Sequence, residues 1–253
     1  MKYQKPLVAL ALIACAAATN NAQASLVDRG GGLLYDNVLN ITWLQDANYA
    51  KTSGIAGISA TGEMNWNTAT DWATNLVYGG YSDWRLASNA PVNGGNSFRH
   101  YYAVDGSTDD GYNITSPYSE LAYMYNVNLG LKGIYDTNGI YQPAFGIFGN
   151  GAIGGQNNVG LVINLQSSTY WSGTGDAFSL NNGFDNAWLF HTDVGNQHYS
   201  SKGIQHYAWA VRPGDVAAVP LPGAVLFFLS GLFCLSGLAH IRKNLAARIG
   251  AAW

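Results

Sequence analysis

Four groups of side chains in this sequence have the types and spacing that chemistry can use. Asp105-Gly106-Ser107-Thr108-Asp109-Asp110-Gly111 offers oxygen atoms at alternating positions, as hard cations such as calcium require. Its glycine falls at the seventh place, and Ser116 stands at the twelfth where an EF-hand needs a bidentate Glu. The run reads as a solvated acidic turn, with a calcium site at Asp105, Asp109 and Asp110 as the alternative. His191, Asp193, His198 and His206 resemble metal ligands or acid–base machinery, but their spacing fits no zinc pattern, so they read as surface histidines. Gly149-Asn150-Gly151-Ala152-Ile153-Gly154 matches G-x-G-x-x-G literally. Turn-like residues follow it instead of a helix that could face a pyrophosphate, so it reads as a loop. The fourth group is aromatic: Tyr101, Tyr102, Tyr112 and Tyr199 lie among Asn, Asp, Ser and Gly. Ring faces stack on the C–H faces of sugars while amides and carboxylates take the hydroxyls; the same composition also suits an ordinary core with Tyr at its rim.

No group amounts to a catalytic signature. There is no G-x-S-x-G elbow, and the two cysteines, Cys15 and Cys234, lie outside the central part of the chain. Paired carboxylates distant in sequence remain the one route to hydrolysis.

The elements that must position these groups follow from pattern. Leu33–Tyr35, a turn at Asp36-Asn37 and Val38–Trp43 form a hairpin or meander. Ala69, Trp72, Ala73 and Leu76 recur at helical spacing, which predicts a helix over 67–78 capped by Asn67 and stopped by Gly79-Gly80. Ser116-Pro117 predicts a second helix start, with Glu120 in its first turn and an apolar stripe of Leu121, Met124 and Tyr125. Strands are expected at 161–165, 169–172, 187–192 and 207–212, the last half-buried because Tyr207, Trp209 and Val211 alternate with smaller or charged residues. Asp83 and Arg85, on either side of Trp84, are expected to pair and fix a loop around it, with Arg212 in a similar role. Many short strands with two helices give an α+β domain.

All fifteen acidic residues lie between Ser25 and Asp215, against seven basic ones, a net charge of about −8 (7 − 15). The basic residues are scattered singly, which argues against nucleic acid and against an anionic membrane surface. The segment has no cysteine, so its fold rests on a core that its 28 aromatic residues can supply.

Both ends of the chain carry targeting features. Lys2 and Lys5, an apolar run from Leu7 to Ala18 and Ala22-Gln23-Ala24 form a signal peptide, 1–24. Leu12-Ile13-Ala14-Cys15 also fits a lipoprotein box; cleavage after Ala24 is preferred because a second anchor would be redundant. A short linker, 216–222, carries Val219-Pro220-Leu221-Pro222. It precedes an apolar stretch, 223–241, of the length that a membrane helix needs, and a tail, 242–253, with Arg242, Lys243 and Arg248. The positive-inside rule puts this tail in the cytoplasm and the domain across the membrane.

Two resemblances follow. Thr42-Trp43-Leu44-Gln45-Asp46, Trp66–Leu76, Gly79-Gly80-Tyr81-Ser82-Asp83-Trp84-Arg85-Leu86, Ser119-Glu120-Leu121, Tyr170-Trp171-Ser172 and Ala208-Trp209-Ala210-Val211-Arg212-Pro213 resemble, in order, the domain of unknown function 1566. That domain is also called the C-terminal domain of Legionella collagen-like proteins. The resemblance implies a C-type-lectin-like fold and a glycan ligand; a family Cys and Pro are replaced here near Ala73 and at Ala87. The tail resembles a PEP-CTERM sorting signal of the Val-Pro-Leu-Pro type. This implies processing by an exosortase-like enzyme and release to the cell surface or exopolysaccharide matrix. The expectation is a non-enzymatic exported domain, 25–215, that binds glycan or matrix. A polysaccharide hydrolase and a purely structural matrix protein are the alternatives.

Overall fold

A computed structural model describes residues 26–55 and 58–216. The leader, the Val219–Pro222 motif, the apolar span and the basic tail lie outside these residues. Among the described residues no helix is long and apolar enough to cross a membrane.

In chain order the first elements are β1 (Leu26–Gly30), β2 (Leu33–Asp36), β3 (Ile41–Leu44), α1 (Tyr49–Thr52), α2 (Trp66–Thr74), β4 (Arg85–Leu86), β5 (Tyr102–Ala103) and β6 (Asp110–Tyr112). Then come α3 (Glu120–Tyr123), running on into one turn of π-helix, β7 (Gln156–Val159), β8 (Val162–Gln166) and β9 (Thr169–Gly175). The chain ends with α4 (Ala177–Asn181), β10 (Asn186–His191), β11 (Asn196–Ser201) and β12 (Ala210–Pro213). One sheet has the order β1-β2-β3-β12-β4, a second β5-β6-β11-β10-β9, and β7-β8 stand as a separate hairpin. The domain is β-rich and α+β, as the pattern predicts.

Local chemistry explains the first hairpin. Leu33 to Asp36 pair with Leu44 to Ile41, and the Asp36 carboxylate accepts from the backbone N–H of Val38 and of Leu39, both at 2.9 Å. The turn therefore takes Val38, which the pattern placed in the strand. The helix expected over 67–78 runs instead from Trp66, capped by Asn65, whose side-chain oxygen accepts from Thr68 N–H at 2.9 Å. It ends at Thr74 because Tyr78 and Tyr81 exchange backbone hydrogen bonds around Gly79 and Gly80, at φ +62° and +84°. Two successive positive φ values make the tight turn that reverses the chain there. The Ala69–Trp72–Ala73–Leu76 stripe is buried as expected.

The second helix begins at Glu120, not after Ser116. Residues 116–119 form a turn closed by Ser119 N–H to Ser116 carbonyl, and the Ser116 hydroxyl donates outward to Val92 O. Leu121, Met124 and Tyr125 are buried. The segment 207–211 is not half-buried: Tyr207, Ala208, Trp209, Ala210 and Val211 are all inside. The reason is position. β12 lies inside the first sheet between β3 and β4, while Tyr207 bridges Tyr170 of the second, so the segment is covered by both sheets.

Aromatic rings join the two sheets. Trp43 and Trp209 stand 4.7 Å apart between ring centroids, and Tyr170 lies 6.1 Å from Trp209. Each such pair adds about 0.5–1.5 kcal/mol beyond its area burial. Indole N–H groups pin the rings: Trp209 donates to Leu44 O at 2.7 Å and Trp171 to Met64 O at 3.0 Å.

Asp83 and Arg85 do not pair with each other. Asp83 forms two bonds with Arg212, at 2.8 and 2.9 Å, and Arg212 lies over the Tyr81 ring. Arg85 forms two bonds with Glu120, both at 2.7 Å, and Glu120 also accepts from Ser88 N–H at 2.6 Å. Both guanidiniums thus meet their carboxylates fork to fork, the geometry that gives an Arg–carboxylate pair specificity as well as energy. Arg29 and Asp215 then clasp the two ends of the domain at 2.5 and 2.9 Å.

Candidate functional site

The second sheet carries a surface row of rings that sequence spacing did not reveal. β10 and β11 pair antiparallel with Trp188 opposite Tyr199, and Trp188 is completely buried. Phe98, His100 and Tyr199 pack around it with centroids 4.9, 5.3 and 5.5 Å away. From this base a chain of contacts runs Phe178–His100 at 4.6 Å, His100–Tyr199 at 5.6 Å and Tyr199–His198 at 4.6 Å. Phe178 is 57% exposed and His198 retains 45% of its side-chain surface, so the row is open to solvent at both ends.

A buried carboxylate fixes each histidine. His100 Nε2 lies 2.8 Å from Asp176, whose side chain is wholly inaccessible. Asp176 opens α4 and also accepts from Phe178 N–H, Ser179 N–H and the Ser179 hydroxyl. His198 Nδ1 lies 2.9 Å from Asp110, whose side chain is also buried, at 6% exposure. A carboxylate can only accept, so each imidazole donates to it, leaving Nδ1 of His100 and Nε2 of His198 as the second nitrogens. The Asp110 bond raises the pKa of His198 above its ordinary 6.5, against the opposing effect of burial. Burial, then the charges of Asp110 and Asp176, raise the Tyr199 hydroxyl. Tyr199 is thus a neutral phenol held between two carboxylate-bound histidines.

The geometry around Asp176 differs from that of a nucleophilic triad. In a catalytic triad the hydroxyl donates to the imidazole and the imidazole to the carboxylate. Here Ser179 and His100 both donate to the same Asp176, so no base faces the hydroxyl. What remains is a strip of ring faces with hydrogen-bonding edges, the surface that sugar rings fit.

The sequence candidates fall at, beside and beneath this row. Tyr199 is its centre. Tyr102, on the edge strand β5, is paired in register with Asp110 and is 54% exposed; Tyr101 is 63% exposed. Tyr112 is buried, edge-on to Tyr102 at 5.8 Å and to Tyr135 at 5.4 Å, so it supports and does not face solvent. Burial, with the Tyr102 hydrogen bond second, pushes its hydroxyl pKa far up. Asp105, Asp109 and Asp110 have separate partners. Asp105 accepts from Ser107, Asp110 from His198, and buried Asp109 from the N–H groups of Val92 and Arg99 at 2.7 Å each. Asp109 thereby ties down the loop that carries Phe98 and His100. Among the described residues no group of three or more His, Cys, Asp or Glu is arranged to hold a metal.

The remaining histidines stand apart. His191 is partly exposed, 3.1 Å from the Thr169 hydroxyl. His206 is half-buried: it sits edge-on to Trp171 at 4.6 Å with Nε2 buried and unpartnered. Burial, then the neighbouring His191, lowers its pKa to about 4. The Gly149–Gly154 run is a loop that leads into β7, a strand, as expected.

A groove of about 560 Å³ between α1 and α2 is lined by Tyr49, Trp72, Leu76 and Val77, with Asp71 as its one carboxylate. Its single carboxylate offers no acid–base pair. His100, Asp176 and Phe178 were missed because their contacts cross 76 residues of chain. The one signal available was the dense ring run Phe98-Arg99-His100-Tyr101-Tyr102. No family model, curated protein or solved structure matches the chain.

Proposed function

We propose that this is an exported, non-enzymatic domain that binds a glycan of the cell-surface or exopolysaccharide matrix through the Phe178–His100–Tyr199–His198 row. The observation that carries this reading is Tyr199, a neutral phenol flanked by two histidines that buried carboxylates lock in place. Rings fixed before the ligand arrives lose little side-chain entropy on binding. The C-type-lectin-like reading fits a chain whose last strand returns to the first sheet, between β3 and β4, and whose ends meet at Arg29–Asp215. Hydrolysis would need an acid with a raised pKa facing a second carboxylate. Asp110 and Asp176 are instead buried partners of histidines.

Export and sorting belong to the same reading. The Val219-Pro220-Leu221-Pro222 motif begins six residues after the end of β12 in sequence, the order in which an exosortase-like enzyme would find it behind the domain. Retardation in gels containing exopolysaccharide from the producing cells tests the binding. The full-length chain should be slowed, and Tyr199→Ala should restore most of its mobility. Equal retardation of both would refute the site.

A further inference from the structure

Beyond His198 the sheet carries the row's chemistry onward to its edge strand. Tyr112 of β6 lies opposite Asn196 of β11, and two positions along His198 Nδ1 meets Asp110 Oδ1 at 2.9 Å. On the other side of β6, Asp110 stands in register with Tyr102 of β5. Side chains alternate between the faces of a sheet, so residues level with each other on neighbouring strands share a face. His198, Asp110 and Tyr102 therefore lie side by side, in the strand order β11, β6, β5. Two strand spacings set the His198 and Tyr102 backbones about 10 Å apart, with Asp110 between them. β5 is the last strand of this sheet, so the alignment ends at an open edge.

The middle residue is a buried charge that is only half engaged. Asp110 is 5% exposed, and its Oδ1 is committed to His198. No hydrogen bond reaches Oδ2 among the described residues, yet Oδ2 is not one of the buried unpartnered atoms, so it keeps contact with solvent between its two neighbours. A carboxylate oxygen can only accept, so from outside it takes an O–H or an N–H. Burying such a group is costly unless its oxygens are paired, which favours a ligand that brings the donor. Tyr102 is more than half exposed, and its ring is set from beneath. Tyr112 lies edge-on to it at 5.8 Å, and the two hydroxyls share a hydrogen bond. An exposed ring, a sheltered acceptor and the His198 ring thus stand in line, the combination of stacking face and hydrogen-bonding edge already present in the row.

We infer that Tyr102, Asp110 and His198 form a second subsite that takes a further sugar unit of the chain bound at the row. The ligand is then an internal stretch of an uncharged polysaccharide that crosses the strands and runs off the sheet at β5. In this subsite the unit lays its C–H face on Tyr102 and donates a hydroxyl to Asp110 Oδ2. An acidic sugar would set its own carboxylate against Asp110, in a domain where acidic residues already outnumber basic ones. The inference rests on the glycan-binding reading of the row, and fragment length separates the two: short fragments occupy the row, and only long ones reach Tyr102.

The test is calorimetric titration of the full-length chain in detergent with fragments of the exopolysaccharide used in the gels, sized from disaccharide to decasaccharide. The wild type should bind the longest fragments at least about tenfold more tightly than the shortest that binds, the worth of one hydrogen bond to a charged group. Tyr102→Ala should lose this gain and keep the affinity for the shortest fragment, whereas damage to the fold would weaken every length alike. Tyr102→Phe keeps the ring and should retain the gain. Oxidising the primary hydroxyls of the longest fragments to carboxylates should remove it. Tyr199→Ala should weaken every length. A Tyr102→Ala effect that is absent, or equal at all lengths, overturns the inference and leaves the row standing. So does a gain that survives oxidation. A wild type that binds neither fragments nor intact polymer refutes the row, and the second subsite with it.

Discussion

Residues paired across the fold contribute unequally, and geometry ranks them. Glu120 is nearly buried, grips Arg85 with both oxygens and also holds Ser88 N–H. Glu120→Ala strands a backbone donor as well as the guanidinium, and should cost about 2–3 kcal/mol in urea denaturation. Asp83 is half exposed, so Asp83→Ala should cost no more than about 1 kcal/mol despite its two good bonds to Arg212. An equal loss in both variants would contradict this ranking. His206 supplies a pH signature. Its folded pKa of about 4 lies below the ordinary 6.5, so between these values the unfolded chain binds a proton that the folded chain refuses. Its contribution is therefore complete above 6.5 and is lost as pH falls toward 4. His198 has the opposite sign: its raised pKa stabilises fully below 6.5, and this is lost as pH rises through the folded value. Denaturation midpoints followed across this range should fall less on acidification in His206→Asn than in the wild type.

At the scale of elements, the sequence was most readable where a contact is local. The Ala69–Leu76 stripe, the first hairpin and the Leu121–Tyr125 stripe are built from neighbours, and their periodicity shows. Their ends were less readable because tertiary contacts set them: Ser116 is drawn to Val92, and the Tyr78–Tyr81 turn stops α2 early. β1, β5, β6, β7 and β11 left no apolar alternation, since they are short or carry polar side chains such as those of Asn196–Ser201. The histidine–carboxylate pairs were illegible for the same reason. Each joins residues 76 or 88 positions apart, and only the sheet order brings them together. Of the ligand candidates, Tyr199, Tyr101 and Tyr102 proved accessible; Tyr112 did not, because β6 is covered. The β5–β6 junction gives a test at this scale. Gly111 has φ +139°, and a Cβ there would lie 1.8 Å from Ala103 O. Gly111→Ala should push β5 away, destabilise the domain by more than about 1 kcal/mol and loosen Tyr102 beside the row. Its thermal midpoint, compared with that of Gly183→Ala at an open loop position, measures this.

At the scale of the whole molecule, a cysteine-free domain is closed by aromatic packing between two sheets and by an ion pair between its ends. That closure leaves the ring row on the second sheet. Replacing Pro220 and Pro222 with Ala should make the membrane-held form accumulate in fractionated cells; unchanged release would contradict motif-directed sorting. The central claim is that the row recognises sugar. A glycan array probed with the full-length chain and with Tyr199→Ala, in calcium and again in chelator, tests it most directly. The account predicts selective binding to a restricted set of glycans, lost in Tyr199→Ala and retained in chelator. No selective binding, or binding that Tyr199→Ala leaves unchanged, would contradict it.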